Sequence, residues 1–158
     1  MIPNMTSQEI QLISRFSQLT PEGKREIDDY LRFVLLKQYK KELCSQVLNN
    51  SLLHNGFLQA VWMCEREDTS IEDIVAKVRQ LKFVFYQSLE RTYCRYSEVL
   101  GELMVEDILR DWGSIGFDSV LEAANTGNKE LMKQELENML QDYGRLAKKE
   151  DKRKIVAV

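Results

Sequence analysis

The stretch SIEDIVAKVRQLKFVFYQSLERTYCRYSEVL, Ser70 to Leu100, contains neither glycine nor proline. Thr69 and Glu72 fit a capping box, and Ser70 with Asp73 repeats the pattern one residue later. Either start sets acidic side chains in the first turn, where the helix dipole favours them. At about 100° per residue, Ile71, Ile74, Val75, Val78, Phe85, Leu89, Tyr93 and Tyr96 share one stripe, with Leu81 at its edge. Leu100 and Leu103 stay in phase, which carries the expected helix past Gly101. Such a helix spans about 45 Å at 1.5 Å per residue. It must cross the whole fold or project from it.

Phe83 and Val84 fall on the opposite side of this helix, and Tyr86 lies near the stripe's edge. Two readings are open for that second apolar face. It is packed inside one chain, or it is offered to a partner or a second copy.

Toward the N-terminus, Glu65 to Asp68 form a charged connection. Before it, FLQAVWMC (Phe57 to Cys64) is apolar nearly all round and predicts a short core helix. Asn49-Asn50-Ser51 and Asn55-Gly56 read as breakers around a short turn holding Leu52 and Leu53. Thr20-Pro21 is a strong helix start, with a threonine cap and proline at the first helical position. It opens a second long helix, Pro21 to Leu48, striped by Ile27, Tyr30, Leu31 and Val34. Phe33 and Leu36 point elsewhere, so this helix is expected to be buried on more than one side. Beyond Lys41 the stripe shifts to Leu43, Cys44 and Val47, which predicts a bend or a change of packing partner. Thr6 and Glu9 cap a first helix, Ser7 to Ser17, with Leu12, Ile13 and Phe16 on one side.

Toward the C-terminus, a helix is expected over Glu102 to Trp112, with Leu103, Met104, Ile108 and Trp112 inward and Gly113 ending it. A short helix follows at Ser119 to Ala124, then a turn at Asn125-Thr126-Gly127. The last helix, Asn128 to Ala147, carries Met132, Leu136, Met139, Tyr143 and Leu146 at coiled-coil spacing. Convincing strand alternation is absent. The expectation is all-α: a helical bundle of six or seven helices, with Pro21–Leu48 and Ser70–Leu100 as two antiparallel spine helices. Residues 1–147 make a single domain, and 148–158 a charged, frayed tail.

Composition narrows the function. The chain has 158 residues, ordinary for one domain, with 44% hydrophobic and 30% charged side chains, a globular rather than a disordered profile. The formal net charge of −3 lacks the overall basic excess of a general phosphate-backbone binder. No apolar run approaches a membrane span, and MIPNMTSQEI does not read as a signal peptide. Cys44, Cys64 and Cys94 are odd in number and form no C-x-x-C pair, so reduced, largely buried thiols in a cytoplasmic protein are expected.

Catalytic signals are sparse. His54 is the single histidine, which removes the usual two-histidine metal sites, and it reads as a turn residue between breakers. Gly113-Ser114-Ile115-Gly116 lacks the lysine and spacing of a phosphate loop. The carboxylates Glu65, Glu67, Asp68, Glu72 and Asp73, and Glu102, Glu106, Asp107 and Asp111, sit in hydrophilic stretches and read as solvated faces. No catalytic, cofactor or metal residue is assigned, and the protein is expected not to be an enzyme.

The leading expectation is a non-enzymatic regulatory or adaptor protein acting through helix-mediated protein–protein contact, as a homodimer. Its partner-binding residues would be Phe33, Leu36, Phe83, Val84 and Tyr86. The alternative is a small nucleic-acid-binding regulator. It would use Lys37, Tyr39, Lys40 and Lys41, which mix charge with an aromatic ring, and the tail cluster Lys148, Lys149, Lys152, Arg153 and Lys154.

Overall fold

A computed structural model describes residues 4–101, 103 and 107–156. The side chains of 107, 108 and 149–156 fall outside that description, as do residues 102 and 104–106. The expected roles of Met104 and Ile108, of the carboxylates at 102, 106 and 107, and of the tail cations from Lys149 onward therefore lie outside the described residues. Among those residues every regular element is a helix: α1 (Ser7–Ser17), α2 (Pro21–Leu48), α3 (Ser51–Glu65), α4 (Ile71–Leu100), α5 (Asp107–Asn125) and α6 (Lys129–Val156). The chain divides into two compact units, Met1–Gln38 and Tyr39–Val158.

In the smaller unit both expected caps form. Thr6 N–H donates to Glu9 Oε2 at 2.6 Å, and Glu9 N–H donates to Thr6 Oγ1 at 3.2 Å. Gly23 N–H donates to Thr20 Oγ1 at 3.1 Å, so Thr20 opens α2 as its sequence predicts. Lys24 Nζ lies 5.7 Å from the centre of the Phe16 ring across the turn. Burial does not follow the expectation. No residue of α1 is buried, and Ile27, Tyr30, Leu31, Phe33 and Val34 of α2 are all exposed. The apolar faces form at helical spacing, but nothing among the described residues covers them.

The larger unit contains the core. Here α3 packs on α4 and α6, and α5 packs on the same two helices. Where they meet, Phe57, Phe85, Trp112 and Phe117 form an aromatic cluster with ring centres 5.3–6.3 Å apart. Tilted and edge contacts of this kind add about 0.5–1.5 kcal/mol per pair beyond area burial. Trp112 Nε1–H finds its partner in the Met139 carbonyl at 3.1 Å.

α4 is the long central element of this unit. It starts at Ser70, whose hydroxyl accepts from Asp73 N–H at 3.2 Å, so the later of the two possible caps is used. Ile74, Val78, Leu81, Phe85, Leu89, Thr92, Tyr96 and Leu100 are buried. They recur at spacings of four, three and four, the eleven-residue pattern that keeps a stripe nearly parallel to the helix axis. Leu81 moves from the stripe's edge into the core, while Ile71, Val75 and Tyr93 are half-buried. The helix does not run past Gly101: that residue takes φ +77°, which stops the helix after Leu100.

Three glycines that resemble punctuation prove to be contact points. Asn55 and Gly56 lie inside α3, and Gly113 and Gly116 lie inside α5. A Cβ at Gly56 would overlap the Leu81 side chain. One at Gly113 would lie 2.6 Å from Phe85 Cζ, and one at Gly116 would lie 2.8 Å from Met139 Sδ. Close helix approach, not helix termination, is what these positions supply. The short turn expected at Leu52 and Leu53 and the two short helices expected around Gly113 are thereby merged into α3 and α5. The turn at Asn125-Thr126-Gly127 does form, with Gly127 at φ +73°.

The last turns of α2 belong to the larger unit. Tyr39, Leu43, Val47 and Leu48 are buried there, so the stripe shift beyond Lys41 marks where α2 enters the packed core. The Tyr39 and Tyr96 rings lie 5.4 Å apart. The Tyr143 hydroxyl lies 2.9 Å from the Val47 carbonyl and 2.7 Å from that of Leu48, capping the end of α2 from α6. Met132, Leu136, Met139 and Tyr143 form the buried seam of α6, as their spacing predicts. Lys129 Nζ donates to the Arg66 carbonyl at 2.7 Å, and Lys133 pairs with Glu65 at 3.4 Å, which ties the end of α3 to α6.

Glu42 of α2 is partnered from α4. It accepts from Tyr96 Oη at 2.5 Å and pairs with Arg95. The tyrosine hydrogen bond first, and the guanidinium second, hold its carboxyl below the ordinary value of 4.5. A depressed folded-state pKa stabilises the fold above the ordinary carboxylate range and is lost as pH falls through the folded value. Glu42→Gln is expected to lower the thermal midpoint at pH 7 and to shrink the drop seen on acidification below about pH 4.5. Thermal melts of both proteins at pH 7 and pH 4 check this. An equal acid drop in the two would show that Glu42 carries no such linkage.

Candidate interaction surface

The most exposed apolar surface lies on the smaller unit. Ile10, Ile13 and Phe16 of α1 recur at helical spacing on one side, with Leu12 beside them, and all are exposed. On α2, Ile27, Leu31 and Val34 form an exposed stripe flanked by Tyr30 at 64% and Phe33 at 61% exposure. Leu36 is half-buried. Single exposed apolar side chains are ordinary, whereas a contiguous set marks a surface that needs a cover. The sequence already places Leu12, Ile13 and Phe16 on one side of α1. What it does not carry is their exposure.

On the larger unit, Phe83 is 65% exposed and Val84 is half-buried. Tyr86 sits at the border, its ring 5.1 Å from that of Phe85. Burial, and after it the Asp118 carboxylate, pushes the Tyr86 phenol up. Lys82 pairs with Asp118 at 3.8 Å. Phe33 and Leu36 therefore belong to one unit, and Phe83, Val84 and Tyr86 to the other.

Lys37, Lys40 and Lys41 are exposed, but Tyr39 is not. It is 1% exposed, packed on Tyr96, and its hydroxyl finds no hydrogen-bond partner among the described residues. Its ring is unavailable for stacking on a base, which corrects its expected place in a nucleic-acid patch. Of the tail cluster, Lys148 is described and exposed.

His54 is helical rather than in a turn. It sits in the first turn of α3, exposed, with its ring stacked on Tyr143 at 5.6 Å. Cys64 is buried and Cys44 half-buried, but Cys94 is exposed, contrary to the expectation of largely buried thiols. Burial pushes the Cys64 thiol up. Among the described residues no three His, Cys, Asp or Glu side chains gather as a metal site. An open groove of about 580 Å³ runs between α5 and α6, floored by Trp112, Gly116 and Met139 and rimmed by Asp111, Asp142 and Arg145. Asp142 and Arg145 pair with each other at 3.6 Å. Of the rim residues the sequence points to Asp111 alone, as a solvated carboxylate, because nothing in the local spacing of Asp142 and Arg145 sets them apart. Among the described residues no helix is long and apolar enough to cross a membrane.

No family model matches the chain, and neither a curated protein nor a solved structure matches it.

Proposed function

We propose that this protein is a non-enzymatic adaptor or regulator that works by helix-mediated binding to other protein surfaces, as a homodimer. The observation that carries this reading is the exposed apolar face of residues 10–34, with Phe83 as a second exposed anchor. Buried aromatic and aliphatic anchors dominate the energetics of protein interfaces, and both surfaces present them ready to be desolvated. As architecture, the reading is a helical bundle with the two long helices, α2 and α4, as its spine. The Tyr39–Tyr96 ring pair and the Glu42–Arg95 ion pair between those helices support it. An odd number of cysteines with no C-x-x-C spacing suits a reducing compartment, and the cytoplasm is the location this reading carries.

Site-specific photo-crosslinking in the native host tests it. A photoreactive phenylalanine at position 33 or 83 is expected to give discrete crosslinked protein bands, and one at the exposed polar position Gln80 is not. Absence of bands at both apolar positions would overturn the reading.

A further inference from the structure

We propose that residues 7–38 dock on the same segment of a second copy of this chain, the apolar sides of α1 and the first part of α2 closing an isologous interface. The inference rests on the protein-interaction reading above and names the partner of that surface.

Three observations point to a second copy. The first is that α1 cannot be explained by its own stability. It has 11 residues and none is buried, while isolated helices shorter than about 12–15 residues are marginal in water. Its capping box and apolar stripe are those of a helix that is held by something outside its own turns.

The second is area. Ten of the exposed large apolar side chains fall between Ile10 and Val34. At roughly 200 Å² for a large apolar residue, one third to two thirds exposed, they present on the order of 1,000 Å². A stable interface buries about 800 Å² on each partner. Covering most of this apolar area on each copy is therefore enough for a standard dimer interface.

The third is charge. Residues 1–38 carry five acidic and five basic side chains, so the segment is neutral. The two segments face each other without net repulsion. A phosphate backbone or an anionic lipid surface would be met better by a cationic segment. A neutral apolar segment with mixed charges at its margins suits its own copy. A two-fold arrangement also closes on itself, so this face does not propagate a filament.

The test is light scattering on the full chain across about 1–100 µM, with three variants and hydrogen exchange. The expected mass is twice the 18.5 kDa of one chain. Leu31→Asp and Phe16→Asp are expected to weaken association by about 100-fold, while Val99→Asp, exposed on the larger unit, leaves it unchanged. In the unaltered protein, amides of residues 7–17 are expected to gain protection as concentration rises. A monomer throughout the range, a mass above that of a dimer, dimers that survive both smaller-unit variants, or protection independent of concentration would each overturn the proposal. These outcomes are separate from the crosslinking test. A monomer that still crosslinks to another protein through position 33 loses the homodimer and keeps the binding to other proteins.

Discussion

Phe85→Ala is expected to lower the unfolding free energy by about 3–5 kcal/mol, the cost of emptying a core aromatic site that cannot collapse. Phe85 is fully buried. Its ring touches those of Tyr86, Trp112 and Phe117, and Gly113 leaves room for it on α5. Removing it therefore opens a void among rigid rings, which relax less readily than aliphatic chains. Two positions earlier, Phe83→Asp is expected to change stability by no more than about 0.5 kcal/mol, because its side chain lies mostly in water. Urea denaturation followed by far-UV circular dichroism checks both. Similar losses in the two variants would mean that Phe83 is core, and would remove it from the proposed surface.

Gly113→Val is expected to cost about 3 kcal/mol, at the upper end for overpacking a well-filled core. By helix propensity alone the substitution should help slightly, since glycine is the worse residue in a helix interior. Packing decides the sign. The new Cβ would meet the Phe85 ring, which is pinned by its aromatic neighbours and cannot swing aside. The same change at Gly144, where a Cβ would meet nothing within 4 Å, is expected to be neutral or mildly stabilising. Thermal midpoints of the two variants decide it: a stable Gly113→Val protein would show that α5 does not approach α4 this closely.

These two residues also show what was legible beforehand. The stripe of α4 was readable because burial on one side of a helix leaves a periodic trace, and Ile74, Val78, Phe85, Leu89 and Tyr96 all lie where that trace puts them. The seam of α6 was readable for the same reason. The glycines of α3 and α5 were not, because a glycine that ends a helix and one that admits a neighbour's ring look alike until the neighbour is known. Tyr39 carries a different lesson. Its lysine neighbours suggest a surface, yet Tyr39, Leu43 and Val47 repeat at spacings of four, and that repeat places its ring in the core. For the proposed surface, the apolar spacing of α1 and α2 was legible, but not its exposure. Periodicity says that a face needs covering and is silent on whether the cover comes from the same chain.

The bond from Tyr143 to the end of α2 has a consequence for the order of folding. It joins positions 96 and 95 residues apart in the chain. Contacts of that range are formed late, because the entropy of closing the intervening chain must be met first. On a ribosome, which releases the N-terminus first, α2 emerges long before α6. Its last carbonyls then wait for Tyr143, and the larger unit cannot close until α6 has emerged. Meanwhile residues 7–38, all N-terminal to that contact, have already emerged. Their apolar faces are thus presented early, beside neighbouring nascent chains of the same kind, at the stage when the rest of the molecule is still open.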